Sequence, residues 1–189
     1  MIKSIVSLHN KILHFKGPLF GNGKCVIFRS SDGNISPPVE LLVIGEGPGY
    51  YESIEGKPFV GRSGKELDKM LDFIGLNYAI TNVVKYRPTD STGKDRKPTQ
   101  DEVIGWTPIL EKQIQLYKPK RILVLGDTAL KCLFPDIKTT ITNAANEHVI
   151  LYYNKIPTFV YFHPSYLIRN NYDWEKDIKA IKNNMLKMV

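Results

Sequence analysis

Short runs of apolar residues recur along the chain and alternate with longer stretches in which apolar residues are spaced three or four apart. Residues 41–44 form one such run, Leu-Leu-Val-Ile, and Gly45 follows it at once. A continuous apolar run that ends at glycine is typical of a strand buried on both faces of a parallel sheet. The same criteria predict further strands at residues 78–84, 121–125, 147–153 and 157–162.

Helical spacing marks five segments before, between and after these strands. The first, residues 1–15, contains polar residues among its apolar ones, which favours an amphipathic helix over a secretory signal. The others are predicted at residues 65–74, 100–117, 128–134 and 173–188. Asp127 and Asp173 are predicted to cap the last two helices. Residues 87–98 are rich in Pro, Asp, Thr and Lys and therefore predict a solvated loop.

Strands that alternate with helices predict an α/β fold, in which helices cover both faces of a parallel sheet. Ligands of such sheets bind at the carboxyl ends of the strands. This rule places four segments on one rim of the sheet: residues 45–49, Asn82, residues 126–127 and residues 163–165. Three of the four carry polar groups that can take part in chemistry, so we expect the functional site there.

Length and charge narrow the class of protein further. A chain of 189 residues is expected to form a single domain, residues 1–189, and its net charge of +7 favours a polyanionic partner. Cys25 and Cys132 are the two cysteines, too far apart in sequence to predict a metal-binding motif. No apolar stretch approaches the roughly 20 residues of a membrane helix. We therefore expect an intracellular monomer without a membrane span.

The loop Gly-Glu-Gly-Pro-Gly at residues 45–49 is built for close approach to a ligand, because glycine leaves the backbone uncovered and Pro48 stiffens it. Glu46 is its one carboxylate. The loop lacks the Gly-Lys-Ser/Thr ending of a P-loop and the Gly-x-Gly-x-x-Gly spacing of a dinucleotide site, which disfavours a nucleotide-binding protein. Alone, it is equally compatible with a tight surface turn.

Three groups of motif residues, with Pro119 and Gly126 at the strand between the last two groups, together carry a resemblance to a known family. They are Gly-Glu-Gly-Pro-Gly at 45–49 with Gly-Lys-Pro-Phe-Val-Gly-Arg-Ser-Gly at 56–64, Ile-Thr-Asn-Val-Val-Lys at 80–85 with Arg-Pro at 87–88, and His-Pro-Ser-Tyr-Leu-Ile-Arg at 163–169. In order and spacing this pattern resembles the family-4 uracil-DNA glycosylases. The resemblance implies a three-layer α/β/α fold with a central four-stranded parallel sheet, and uracil-containing DNA as the partner.

The resemblance also implies roles for individual residues. His163 would donate a hydrogen bond to uracil O2, where negative charge develops as the base leaves. Asn82 would read the base edge, accepting from N3–H and donating to O4, a pattern that cytosine lacks. Phe59 would stack on the flipped base. Glu46 would position the attacking water, a task that the backbone of Gly45 and Gly47 could share.

Contacts to the DNA are expected from residues that flank these motifs. Ser165 would bind a phosphate, and the apolar tip formed by Tyr166, Leu167 and Ile168 would enter the base stack. The candidate phosphate contacts are Lys57, Arg62 and Arg169.

The chain departs from the family in its cysteines. Family-4 members hold an iron–sulfur cluster with four cysteines, whereas Tyr86 and Trp106 occupy the places of two of them here, and only Cys25 precedes the first motif. A cluster needs about four thiolates. We therefore expect no metal and no cofactor, with aromatic packing by Tyr86 and Trp106 in place of the cluster.

Two other functions remain open at this stage. One is a glycosylase that accepts a different deaminated base. The other is a DNA-binding scaffold protein with weak catalysis, against which the presence of Glu46, Phe59, Asn82 and His163 argues.

Overall fold

The computed structural model of the protein describes residues 2–13 and 23–188. Within them the strands are β1 (Arg29–Ser30), β2 (Leu41–Gly45), β3 (Tyr78–Asn82), β4 (Ile122–Leu125), β5 (Ile150–Tyr153) and β6 (Ile156–Tyr161). The helices are α1 (Ile2–Leu13), α2 (Tyr50–Glu55), α3 (Arg62–Ile74), α4 (Gln100–Tyr117), α5 (Asp127–Leu133), α6 (Ile141–Asn146), α7 (Pro164–Arg169) and α8 (Glu175–Lys187). No helix in these ranges is long and apolar enough to cross a membrane.

One sheet joins all the strands in the order β1-β3-β2-β4-β6-β5. The four central strands are parallel, while β1 and β5 pair antiparallel at the two edges. The α/β class is therefore confirmed, but the sheet has six strands and not the four that were expected. The edge strands explain the difference: β1 spans two residues, too few for an apolar pattern, and β5 forms a hairpin with β6.

Alternate residues of the strands face two separate hydrophobic layers, which gives the three-layer arrangement. Leu42 and Ile44 of β2 pack with apolar residues of α1, α4 and α5 on one face. Leu41 and Val43 pack on the other face with residues of α3, α7 and α8. All residues of β2 are buried, in agreement with a strand covered on both faces.

Neither aspartate predicted as a helix cap is the residue that immediately precedes its helix. Gly126, with φ of +90°, precedes α5, while Asp127 is the first helical residue and forms an ion pair with Lys131 at 3.0 Å. Trp174 precedes α8, and Asp173 lies one residue further back, where its Oδ1 accepts from the backbone N–H of Glu175 at 3.2 Å. Asp127 therefore does not cap α5, whereas Asp173 still accepts from an N–H of the first turn of α8. The predicted N-terminal helix is α1, and residues 1, 14 and 15 of that prediction lie outside the described ranges.

Candidate active site

The ends of the central strands bring the predicted loop segments to one rim. Gly45, the last residue of β2, lies opposite Asn82, the last residue of β3. The pairing continues beyond the strands, because the backbone N–H of Val83 donates to the carbonyl of Gly45 at 2.9 Å and that of Val84 donates to Glu46 at 3.1 Å. Backbone hydrogen bonds thus hold the glycine-rich loop directly beside Asn82.

A cavity of about 180 Å³ opens on this rim. Its walls include Glu46, Phe59, Asn82 and His163, which the sequence predicted, and also Glu52. Pockets for drug-sized ligands usually measure about 300–1,000 Å³. The smaller size fits a single flat ring, such as a nucleobase, better than a whole nucleotide.

Phe59 is fixed in an unusual backbone conformation. Its φ of +55° is in the left-handed region, and its side chain is 5% exposed. Glu52 holds the following segment, because its Oε1 accepts from the backbone N–H groups of Val60 at 3.1 Å and Gly61 at 3.2 Å. Gly64 is required beneath it, since an added Cβ would lie 1.8 Å from the carbonyl oxygen of Phe59. Sequence reasoning missed Glu52, because its partners are backbone groups that leave no mark in the sequence.

Asn82 is 1% exposed and lines the cavity, and its Oδ1 accepts no hydrogen bond from any described residue. Buried polar atoms are nearly always paired, so an unpaired one in a cavity wall indicates a ligand donor. Gly45 makes room for this side chain: an added Cβ there would lie 2.5 Å from Asn82 Oδ1 and 2.6 Å from the ring of Phe59.

The hydrogen bonds of His163 define its tautomer. Its Nδ1 accepts from the backbone N–H of Ser165 at 3.2 Å and lies 2.8 Å from the hydroxyl of Ser165. Burial, together with the positive charge of Arg169, lowers the pKa of His163 to about 4. The ring is therefore neutral at pH 7, with its proton on Nε2. The ring centroids of His163 and Phe59 are 5.6 Å apart.

Glu46 lies between two pockets. Its Oε2 accepts a hydrogen bond from the hydroxyl of Thr128 at 2.5 Å, which fixes one carboxylate oxygen. Besides the cavity, Glu46 and His163 border a neighbouring pocket of about 330 Å³ that also contains Lys97 and Arg169. This second pocket therefore shares Glu46 and His163 with the cavity, and its lining adds two cations and the carboxylate of Asp127.

The residues predicted to contact DNA have different surroundings. Lys57, Arg62 and Arg169 are exposed, as a phosphate contact requires. Tyr166 is 37% exposed, and its ring stacks on Phe162 with centroids 4.8 Å apart.

One prediction for this segment is wrong, and another acquires a new partner. Leu167 is 1% exposed and packs in the core between α3 and α8, so it is not part of an exposed wedge. Tyr166 and Leu167 are consecutive in α7, and about 100° of helical rotation separates them. Ser165 has its hydroxyl and its N–H directed at Nδ1 of His163, which makes it a partner of the histidine, and its contact with a phosphate stays a prediction.

An iron–sulfur cluster does not fit the donors that this chain offers. The sequence has two cysteines. Burial raises the pKa of Cys25 to about 11, and a hydrogen bond joins Cys25 to Tyr86. Cys132 lies 3.4 Å from the hydroxyl of Thr107. The rings of Tyr86 and Trp106 pack with centroids 6.0 Å apart. Across the described ranges, no group of three or more His, Cys, Asp or Glu residues is arranged to hold a metal ion.

The fold and this site correspond to a known class of DNA-repair enzyme. Residues 33–187 match the sequence model of the uracil DNA glycosylase superfamily, and the chain belongs to that superfamily. It is similar to the type-4 uracil-DNA glycosylase of Thermotoga maritima, with 38% identity over 144 residues, 74% of this chain and 70% of the relative. The type-4 uracil-DNA glycosylase of Sulfurisphaera tokodaii is 34% identical over 158 residues, covering 77% and 70%. That of Archaeoglobus fulgidus is 34% identical over 153 residues, 75% of each chain. The family resemblance drawn from the motifs is confirmed.

Proposed function

We propose that this protein is a monofunctional uracil-DNA glycosylase, which hydrolyses the N-glycosidic bond of a uracil flipped out of DNA and leaves an abasic site. The observation that carries the proposal is the pair of unused polar groups on one small cavity: Oδ1 of Asn82, without a partner among the described residues, and the Nε2–H of a neutral His163. Uracil presents a matching donor at N3 and an acceptor at O2.

The reaction needs negative charge to be stabilised on the leaving base. The bond between C1′ and N1 breaks with its electron pair on uracil, while a water oxygen bonds to C1′ and releases a proton. Neutral His163 stabilises this anion by donating a hydrogen bond from Nε2–H, and no proton needs to leave the ring. Fixed donors of this kind, in a site that excludes water, contribute a large part of catalysis. Glu46, held by Thr128, positions the water on the sugar side and can take its proton.

Selection of the base rests on Asn82. Its carboxamide accepts from uracil N3–H through Oδ1 and donates to O4 through Nδ2. Cytosine has neither group in place, so its entry leaves buried polar atoms unpaired, which supports strong discrimination. Phe59 stacks on the base and contributes about 1–3 kcal/mol, in the range measured for base–aromatic contacts.

The DNA strand contacts the basic residues around the cavity. Lys57, Arg62 and Arg169 neutralise phosphates, and Tyr166 contacts the bases beside the extruded nucleotide. The net charge of +7 favours the approach of DNA at low salt. We expect the protein to act as a monomer, which size-exclusion chromatography tests. We also expect it in the compartment that holds the DNA and without a membrane contact, which cell fractionation tests.

The proposal is tested by incubating the protein with an end-labelled oligonucleotide that contains one uracil, in single- and double-stranded form, followed by alkali. Strand scission at the uracil is expected. His163→Ala and Asn82→Ala are expected to lose at least about 100-fold in rate, as removal of a single fixed donor does in other enzymes. Absence of an abasic product from the wild type contradicts the proposal, and full activity in both variants contradicts the assignment of these residues.

Two alternative functions are decided by the same assay. A glycosylase for another deaminated base gives scission on an oligonucleotide with hypoxanthine or xanthine but not on the uracil substrate. A scaffold protein binds the oligonucleotides and gives no scission on any of them.

A further inference from the structure

Lys85 is completely buried three residues beyond the end of β3. Its Nζ donates one hydrogen bond to the hydroxyl of Thr81, at 2.9 Å, and another to the backbone carbonyl of Asn82. In the described part of the chain no carboxylate lies within ion-pair distance of Lys85. The ammonium group thus contacts the segment that carries the base-reading side chain.

Thr81 is itself held in place. Its hydroxyl donates to the backbone carbonyl of Ile27 at 2.7 Å, and Nε2 of Gln113 donates to the same carbonyl at 3.2 Å. Thr81 and Gln113 are both fully buried. Lys85 therefore belongs to a buried polar network that reaches from α4 to the end of β3, where Asn82 lines the cavity.

Burying an ammonium group in such a network costs free energy, because the group loses its hydration. Burial lowers the pKa of Lys85 to about 7, which reflects the loss of hydration around the ammonium group. Apolar residues of similar volume often stabilise a protein as well as buried charges do, so stability alone does not account for a buried lysine here. The geometry that Lys85 defines is the orientation of the peptide group after Asn82.

We infer that Lys85 is a positioning residue for base recognition: its hydrogen bond to the Asn82 carbonyl keeps the Asn82 carboxamide directed into the cavity. The inference rests on the proposed function of Asn82 as the reader of uracil. Rotation of the peptide between Asn82 and Val83 would swing the Asn82 side chain. On the Gly45 side this peptide is held by one hydrogen bond, from the N–H of Val83 to the carbonyl of Gly45 at 2.9 Å. Lys85 supplies the restraint from the opposite side of the strand.

A double-mutant cycle tests whether Lys85 acts through Asn82. Lys85→Met removes the ammonium and retains most of the volume, and we expect it to lower kcat/KM on single-uracil DNA by up to about 100-fold, the effect of a small misplacement in a catalytic site. In the Asn82→Ala background the same change is expected to alter kcat/KM less than about twofold, because coupled residues are not additive. Assays are run below the Tm of every variant.

Two controls separate positioning from stability. Arg121→Met also removes a buried cation, whose Nε donates to the carbonyl of Met185 at 2.7 Å, and it is expected to lower Tm while kcat/KM stays near that of the wild type. Thr81→Val removes the other acceptor of Lys85 and is expected to lower kcat/KM. Thr81→Ser keeps the hydroxyl, and its kcat/KM is expected to stay near that of the wild type.

The side-chain amide NMR signal of Asn82, assigned by its absence in Asn82→Ala, gives a readout that does not need activity. It is expected to shift in Lys85→Met and Thr81→Val and to stay in place in Arg121→Met. Equal loss of kcat/KM from Lys85→Met in both backgrounds, or an unmoved amide signal, overturns the inference while the proposed function stands. A wild type that releases no uracil overturns the proposed function. In that case the Asn82 amide signal alone tests whether Lys85 positions the Asn82 side chain.

Discussion

Nδ1 of His163 accepts hydrogen bonds from both the backbone N–H and the hydroxyl of Ser165, at 3.2 and 2.8 Å. This relationship fixes the proton of the imidazole on Nε2, on the opposite side of the ring. A residue two positions further along the chain therefore determines which atom of His163 can donate to a base.

Ser165→Ala removes the hydroxyl and leaves the backbone N–H, so the tautomer is retained with one hydrogen bond fewer. A hydrogen bond of this kind contributes about 0.5–1.5 kcal/mol net, and we expect the single-turnover rate on uracil DNA to fall by about 2- to 12-fold. The KM for DNA is expected to stay the same. A raised KM with an unchanged rate would instead identify Ser165 as a phosphate ligand, and Ser31→Ala, far from the rim, serves as the control.

The lowered pKa of His163 predicts an extended acidic range of activity. Burial shifts the pKa of this residue from its ordinary value of 6.5 to about 4. His163 therefore remains neutral well below pH 6.5, and we expect the single-turnover rate to show no downward step with a midpoint near pH 6.5 that depends on His163. An NMR titration of the ring gives the pKa directly, and a midpoint near 6.5 contradicts the prediction.

The same shift links His163 to stability. Between pH 6.5 and about pH 4 the unfolded chain takes up the proton more readily than the folded protein, so the free energy of unfolding decreases as the pH falls through this window. His163→Gln removes the contribution. Urea unfolding at pH 7 and pH 4.5 is expected to show a larger loss of stability for the wild type than for the variant, and equal losses would count against the assignment.

Gly64 and Gly61 provide a matched pair around Phe59. A Cβ at position 64 would meet the Phe59 carbonyl oxygen at 1.8 Å, whereas one at position 61 makes ordinary contacts of 3.5 Å. We expect Gly64→Ala to destabilise the protein by about 3 kcal/mol, the upper end for overpacking, and to displace Phe59 from the cavity. Gly61→Ala is expected to stay near the wild type in Tm and rate. Similar behaviour of the two variants would contradict this account.

Trp106 is expected to stabilise the region around Tyr86, where the resemblance implied a cluster and this chain has aromatic residues instead. It is 1% exposed and packs on Tyr86. Trp106→Ala should reduce stability by about 3–5 kcal/mol, the range for large aromatic residues, with little change in the rate at a temperature where the variant is folded. Thermal unfolding and single-turnover assays measure the two effects. Bound iron or absorbance in the visible range in purified protein would show that the cysteine argument fails.

The pattern of apolar residues and the spacing of the motifs were enough to predict the central strands and the rim that carries the site. The apolar runs predicted β2 and β3, and the strand-end rule placed Gly45, Asn82 and His163 on one rim. Those inferences succeeded because burial on both faces of a parallel sheet imposes a strong apolar pattern on a few consecutive residues.

The interactions that complete the site could not be predicted in this way. Glu52 acts on backbone N–H groups eight and nine residues away, and Lys85 acts on a backbone carbonyl. Backbone groups are the same at every position, so the sequence does not indicate which of them a side chain will meet. Leu167 was misplaced for a related reason: the rotation of α7, which separates its exposed and buried faces, depends on how α7 packs against α3.

The hydrogen bonds from Val83 to Gly45 and from Val84 to Glu46 have a practical consequence for protein engineering. They join the segment proposed to choose the base to the segment proposed to hold the water, so neither segment can be transplanted or randomised alone without disturbing the other. A library aimed at a new base specificity should therefore vary residues 45–47 and 82–84 together, and inherit both segments from the same parent when sequences are recombined.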